Sequence, residues 1–234
     1  MGEQLPRSVD IADQEAVEQV LQSTMLGLWE IISNLTRIRP KRNPRYRVTI
    51  FGSARAQPGS PVYGEVKRLA AVLSGMGCDI ITGGGPGLMQ AANEGADEAD
   101  AQDRLRSVGI RVDLPFEQHA NPFVEQVYEH RTFFSRLHHF VLMSDAFVVT
   151  PGGIGTLLEM SMIWQLLQVQ HMHDTPLILV GSMWKDLLGW AEHHMFRFQP
   201  PLANPGDMRI PTCVGSADEA VELIRPHFDR WNAG

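Results

Sequence analysis

The stretch AFVVTPGGIGTLLEM, Ala146 to Met160, decides the fold. A short apolar run meets a Gly-rich turn, and the turn opens into a segment with the character of a helix. A short, nearly all-apolar strand is the kind that lies buried on both faces of a parallel sheet. The same unit recurs. RVTIFG runs into FGSAR at 51–55, and CDIITGG runs into TGGGPG at 82–87. Further strands are predicted at SVGIRVDL, at PLILVG and near Cys213, while FVEQVYEH is ambiguous and reads as extended. Helices are predicted over 62–76, 87–100, FFSRLHHFVLM, 156–170, 184–195 and 217–231, the last with Ser216 as its N-cap. This alternation predicts an α/β fold with a parallel sheet between two helical layers.

Upstream, Val17, Leu21, Leu28, Ile32 and Leu35 recur at helical spacing within 13–38. The basic, Pro-containing RIRPKRNPRYR that follows reads as a linker. The expected organisation is therefore an N-terminal helix and linker over 1–42 and a nucleotide-binding domain over 43–234.

In an open parallel sheet the carboxyl ends of all strands share one edge, where ligands bind. The turns at 51–55, 82–87 and 150–156 are therefore expected to be neighbours. Backbone that cradles phosphate must approach it closely, which glycine permits, and the following helix start supplies free N–H groups and a positive dipole end. The candidate substrate-binding residues are Gly52, Ser53 and Arg55 in the first turn. The second contributes Gly84, Gly85, Gly87 and Met89, and the third Gly152, Gly153, Gly155 and Thr156. Neither Gly-rich loop is followed by the Lys of a P-loop, and Leu88 and Leu158 stand where a dinucleotide fingerprint needs Gly or Ala. The pattern favours a mononucleotide. Glu159, about one helical turn past the third loop, and Arg136, on the helix before the strand feeding it, are further charged residues expected near this edge.

The chain has 234 residues, 44% of them hydrophobic, and a formal net charge of −7. Acidic charge argues against non-specific nucleic-acid binding. No apolar run is long enough to cross a bilayer, so no membrane partner is expected. The two cysteines, Cys78 and Cys213, form no metal-binding pair, and the N-terminus lacks the pattern of a signal peptide. A cytoplasmic location is expected, with no metal and no cofactor.

The segments GGGPGLMQAAN, RLHHFVLMSDAFVV and PGGIGTLLE resemble the Lonely Guy family, also described as possible lysine decarboxylases. The likeness runs from FGSAR to PLILVG; the first 40 or so residues resemble the N-terminal extension of longer bacterial members. The resemblance implies a Rossmann-like fold, at least a homodimer, and a phosphoribohydrolase. Such an enzyme cuts the N-glycosidic bond of a purine nucleoside 5′-monophosphate, either AMP or a cytokinin riboside monophosphate. It implies that Arg136 and Glu159 are catalytic. The family usually has Arg-Lys where this chain has Arg136-Leu137, and an acid where it has Leu158. In LPFEQHANPF, Glu117 and Asn121 either line the ribose or base site or belong to an Asn-Pro turn. The alternative function is a non-catalytic nucleotide or phosphate-cofactor binder.

Overall fold

The computed structural model describes residues 13–35, 44–100, 105–113 and 119–233. The chain divides into two compact units, Met1–Arg42 and Asn43–Gly234. In the first, α1 spans Gln14–Leu35. Most of the basic linker, and Glu117, lie outside the described residues.

In the second unit strands and helices alternate. The strands are β1 (Arg47–Phe51), β2 (Asp79–Thr82), β3 (Ser107–Val112), β4 (Gln126–His130), β5 (Ala146–Val149), β6 (Leu177–Val180) and β7 (Pro211–Val214). The helices are α2 (Pro61–Gly75), α3 (Leu88–Ala99), α4 (Phe133–Met143), α5 (Ile154–Gln168), α6 (Ser182–Phe196) and α7 (Ala217–Ala233). All neighbouring strands pair parallel in the order β4-β3-β2-β1-β5-β6-β7. The fold is thus α/β, three-layered and Rossmann-like.

The core follows from the two-residue period of a strand. Ala146 and Val148 of β5 pack with α2, α3 and α7, while Phe147 and Val149 pack with α4, α5 and α6. Ile80 and Ile81 of β2, and Ile178 and Leu179 of β6, divide the same way. Only a strand covered on both faces tolerates apolar side chains in both directions, which is why these segments lack polar alternation. β4 lies at the sheet edge with Gln126, Val127 and Glu129 exposed, and so lacks the apolar run that marks the inner strands.

Helix starts respond to local chemistry. Thr132 caps α4 by accepting the Ser135 N–H at 3.2 Å. Ser216 accepts the Glu219 N–H at 3.3 Å, and the Glu219 carboxylate accepts the Gly215 N–H at 2.9 Å, a reciprocal arrangement at the start of α7. The chain leaves β1 toward β2, β3 and β4, then returns to place β5 on the other side of β1. This reversal puts the switch point at the carboxyl ends of β1 and β5.

Candidate functional site

Ser53 joins the three Gly-rich turns. Its N–H donates to the Pro151 carbonyl at 3.1 Å, and its own carbonyl accepts the Leu88 N–H at 2.8 Å. Gly87 makes the second contact feasible. Its φ is +71°, and a Cβ there would collide with the Ser53 carbonyl and meet the Ala54 backbone within 2.8 Å.

These turns border a cleft of about 450 Å³. Gly52, Ser53, Arg55, Met89, Gly153, Gly155, Thr156, Arg136 and Glu159 line it, as the sequence predicted candidates to do. The cleft also takes in Ala54, Gly83, Val112, Phe133 and Ile154, which were not predicted. Gly83 belongs to a motif of the sequence and was within reach of sequence reasoning; Val112, the last residue of β3, and Phe133, the first of α4, reach the cleft only through tertiary packing. Gly84, Gly85, Gly87 and Gly152 stand behind the lining. They shape the turns: a Cβ on Gly152, for example, would strike Thr156. Asn121 is also absent from the lining; it is buried and hydrogen-bonded to the β2–α3 turn. Arg131 is exposed and does not border the cleft. A larger cleft of about 570 Å³ lies where Gln170–Ile178 meets α7, remote in sequence from all three turns.

One end of the lined cleft is the start of α5. Gly153, Ile154, Gly155 and Thr156 lie there, and the first-turn N–H groups of a helix have no carbonyl partner within it. Additional atoms at Gly153 or Gly155 would meet nothing within 4 Å, so the approach is open. This is an anion-binding arrangement.

One turn further along α5, Glu159 points inward and is 8% exposed. Arg136 Nη1 lies 2.9 Å from Glu159 Oε1. Arg136 is held from behind: its Nε donates to the Ile110 carbonyl at 2.8 Å, and its guanidinium lies 5.2 Å from the centre of the Phe140 ring. A Cβ on Gly83 would collide with Arg136 Nη2 and come within 2.6 Å of the Met89 sulfur, so the guanidinium occupies space that only glycine leaves free. Burial pushes the Glu159 carboxyl up to about 7, and Arg136 opposes that rise. Glu159 therefore titrates near neutrality, a property common to groups that exchange protons in catalysis.

The departures at 137 and 158 have different settings. Leu137 is buried, whereas Leu158 is 48% exposed. Among the described residues no lysine lines the cleft: Lys67 Nζ sits 2.7 Å from both Glu94 and Glu98 on α3. No cluster of metal-ligating side chains occurs among the described residues, and no described helix is long and apolar enough to cross a membrane.

Known proteins share this pattern. Residues 89–224 match the family model described as possible lysine decarboxylase, more than half of the chain. A pyrimidine/purine nucleotide 5′-monophosphate nucleosidase of Escherichia coli is 32% identical over 109 residues, covering 44% of this chain. The match spans only 24% of that protein's length. Among solved structures, the molybdenum cofactor binding protein of Rippkaea orientalis superposes with a TM-score of 0.57 at 20% identity, over 78% of this chain and 96% of that one. The molybdenum cofactor carrier protein of Chlamydomonas reinhardtii gives 0.54 at 17% identity, over 81% and 99%. At these identities the two structures bear on the fold alone. The extent of the family match, with the Gly-rich turns brought together at one sheet edge, places the chain in the possible lysine decarboxylase family, the Lonely Guy family.

Proposed function

We propose that this protein hydrolyses the N-glycosidic bond of a purine nucleoside 5′-monophosphate, AMP or a cytokinin riboside monophosphate, to free base and ribose 5-phosphate. The observation that carries the reading is the buried Arg136–Glu159 pair, 2.9 Å apart, one helical turn from an open helix N-terminus in the same cleft. The helix start takes the 5′-phosphate, which places the sugar near Glu159. The activity named for the E. coli relative supports the substrate class and brings pyrimidine monophosphates into the test.

In the reaction the bond from C1′ to the base nitrogen breaks, and its electron pair leaves with the base. Positive charge develops at C1′ and the ring oxygen, and an ionised Glu159 stabilises it. Water supplies hydroxide to C1′ and its proton to the departing base. With a pKa near 7, Glu159 is suited to take that proton as the water attacks and to pass it on to the departing base. Arg136 holds the carboxylate in place and offers positive charge to the nucleotide. Among the described lining residues Glu159 is the single carboxylate, so the chemistry does not divide between two acids as in most glycosidases.

The test is release of free base from a panel of purine and pyrimidine 5′-monophosphates by the purified protein. Turnover by wild type and its loss in Glu159→Gln, with nucleotide binding kept, is the expected result. No base release from any member overturns the proposal, and binding without turnover would establish the non-catalytic alternative. The same reading includes assembly with a second copy. Ile154, which lines the cleft, and Phe134 and Leu158, next in sequence to the lining residues Phe133 and Glu159, are 82%, 74% and 48% exposed, and apolar exposure of this kind suits a contact between copies. A monomeric mass by light scattering would reject it.

A further inference from the structure

The β2–α3 turn forms part of the cleft wall, yet its hold on position comes from behind. Four buried polar residues lie there: Thr82, Asn93, Ser107 and Asn121. Thr82 Oγ1 accepts the Gly84 N–H at 2.9 Å and donates to Asn93 Oδ1 at 2.7 Å. Asn121 Nδ2 donates to the same Asn93 oxygen and to the Gly85 carbonyl, both at 3.0 Å. The Asn121 N–H donates to the Gly84 carbonyl at 2.9 Å. Asn93 Nδ2 donates to Ser107 Oγ at 2.9 Å, and that hydroxyl donates to the Phe123 carbonyl at 2.7 Å. The Phe123 N–H donates to Asn121 Oδ1 at 3.2 Å.

Both amide hydrogens of Asn121 are used, and Asn93 Oδ1 accepts twice, so neither amide can flip without losing bonds. A buried network with partners shared in this way favours one arrangement. What it enforces is the place of Gly84 and Gly85: the Thr82 hydroxyl holds the Gly84 N–H, the Asn121 backbone N–H holds the Gly84 carbonyl, and the Asn121 side chain holds the Gly85 carbonyl. The adjoining residue, Gly83, is the one whose missing Cβ leaves room for Arg136 Nη2.

We propose that Thr82, Asn93 and Asn121 are positioning residues. They hold the Gly83–Gly85 backbone where it sets the location of the Arg136 guanidinium, and none of the three borders the cleft. Asn121 thus serves the site through the turn rather than through the ligand. The inference rests on the cleft being the nucleotide-hydrolysing site. The anion-binding start of α5 belongs to a different loop, so disturbing the network acts on the reaction more than on phosphate binding.

Thr82→Val keeps the shape and removes both hydroxyl bonds; Thr82→Ser keeps the bonds; Asn121→Ala removes the side-chain bonds to the Gly85 carbonyl and to Asn93, leaves the backbone bond to the Gly84 carbonyl, and serves if the Val variant does not fold. Expected are a kcat at least tenfold lower in Thr82→Val and Asn121→Ala, and a kcat within twofold of wild type in Thr82→Ser. Ribose 5-phosphate affinity should stay within threefold in all of them. The double variant Thr82→Val/Asn121→Ala should lose less than the product of the single losses, since both act on the Gly84–Gly85 backbone and share Asn93 Oδ1. In the ligand-free protein the NMR resonance of the Arg136 Nε–H, bonded to the Ile110 carbonyl, should move in Thr82→Val and stay put in Thr82→Ser. An unmoved resonance, or a Ser variant as impaired as Val, overturns the inference. So does a kcat loss matched by equal loss of ribose 5-phosphate affinity. A wild-type protein without turnover would be a failure of the proposed function instead, and the resonance would still decide the positioning role.

Discussion

Glu159→Gln should make the ligand-free protein more resistant to unfolding at alkaline pH, and the size of the gain follows from burial. The carboxyl titrates at about 7 in the fold against an ordinary value of 4.5, because desolvation outweighs the attraction of Arg136. A folded-state pKa above the unfolded value means that the native protein binds the extra proton. Stability from this group is complete below about pH 4.5 and is lost as pH rises toward 7. At roughly 1.4 kcal/mol per pH unit, ionising Glu159 costs about 3 kcal/mol by neutrality. For a domain of this size that is about 6–12 °C in Tm. The Gln side chain keeps an oxygen for Arg136 Nη1 and cannot ionise. Melts of wild type and variant at pH 5 and pH 8 isolate the effect, because other titrating groups are common to both proteins. The variant should gain about 2.5 kcal/mol on wild type between those pH values, part of the full effect being already lost at pH 5. A difference that stays flat with pH would refute the burial argument, and one that favours wild type at pH 8 would show that the ion pair is net stabilising.

The same ionisation should appear in catalysis: kcat/KM should rise with pH to a plateau above about 7, and an acid limb near 4.5 would place Glu159 in water rather than in the fold. Arg136→Ala should move that limb to higher pH and cut kcat by about 100-fold or more, which steady-state pH profiles can check. Gly87→Ala should destabilise by roughly 2 kcal/mol or more, because a side chain at φ +71° is strained and its Cβ meets the Ser53 and Ala54 backbone; a denaturant melt within 0.5 kcal/mol of wild type would contradict this reading. Lys67→Met should leave nucleotide hydrolysis intact and cost about 1 kcal/mol, since Glu98 is exposed and the half-buried Glu94 keeps its bond from Tyr63.

Much of this architecture was legible from local pattern. Apolar runs that end in glycine marked the inner strands because burial on both faces removes the need for polar alternation. β4 escaped a firm assignment because an edge strand with exposed Gln126 and Glu129 carries no such run. The three turns could be grouped from topology alone, since parallel strands share a carboxyl edge. Individual roles within them could not. Gly153 and Gly87 look alike in sequence, yet one faces the open cleft and the other makes room for a neighbouring loop. Asn121 was read either as lining the ribose or base site or as part of an Asn-Pro turn; its hydrogen bonds run to backbone and to Asn93 behind the cleft.

The sequence by itself determined the α/β alternation, the sheet edge that carries the chemistry, and the two charged residues to watch. Those depend on hydrophobic period and turn chemistry, which are local. The tertiary structure alone decided that Arg136 and Glu159 meet at 2.9 Å, that burial lifts the Glu159 carboxyl to about 7, and that Leu137 turns inward while Leu158 faces out. Each of these depends on how α4 and α5 pack on the sheet, and a pKa belongs to a side chain's surroundings rather than to its place in a motif.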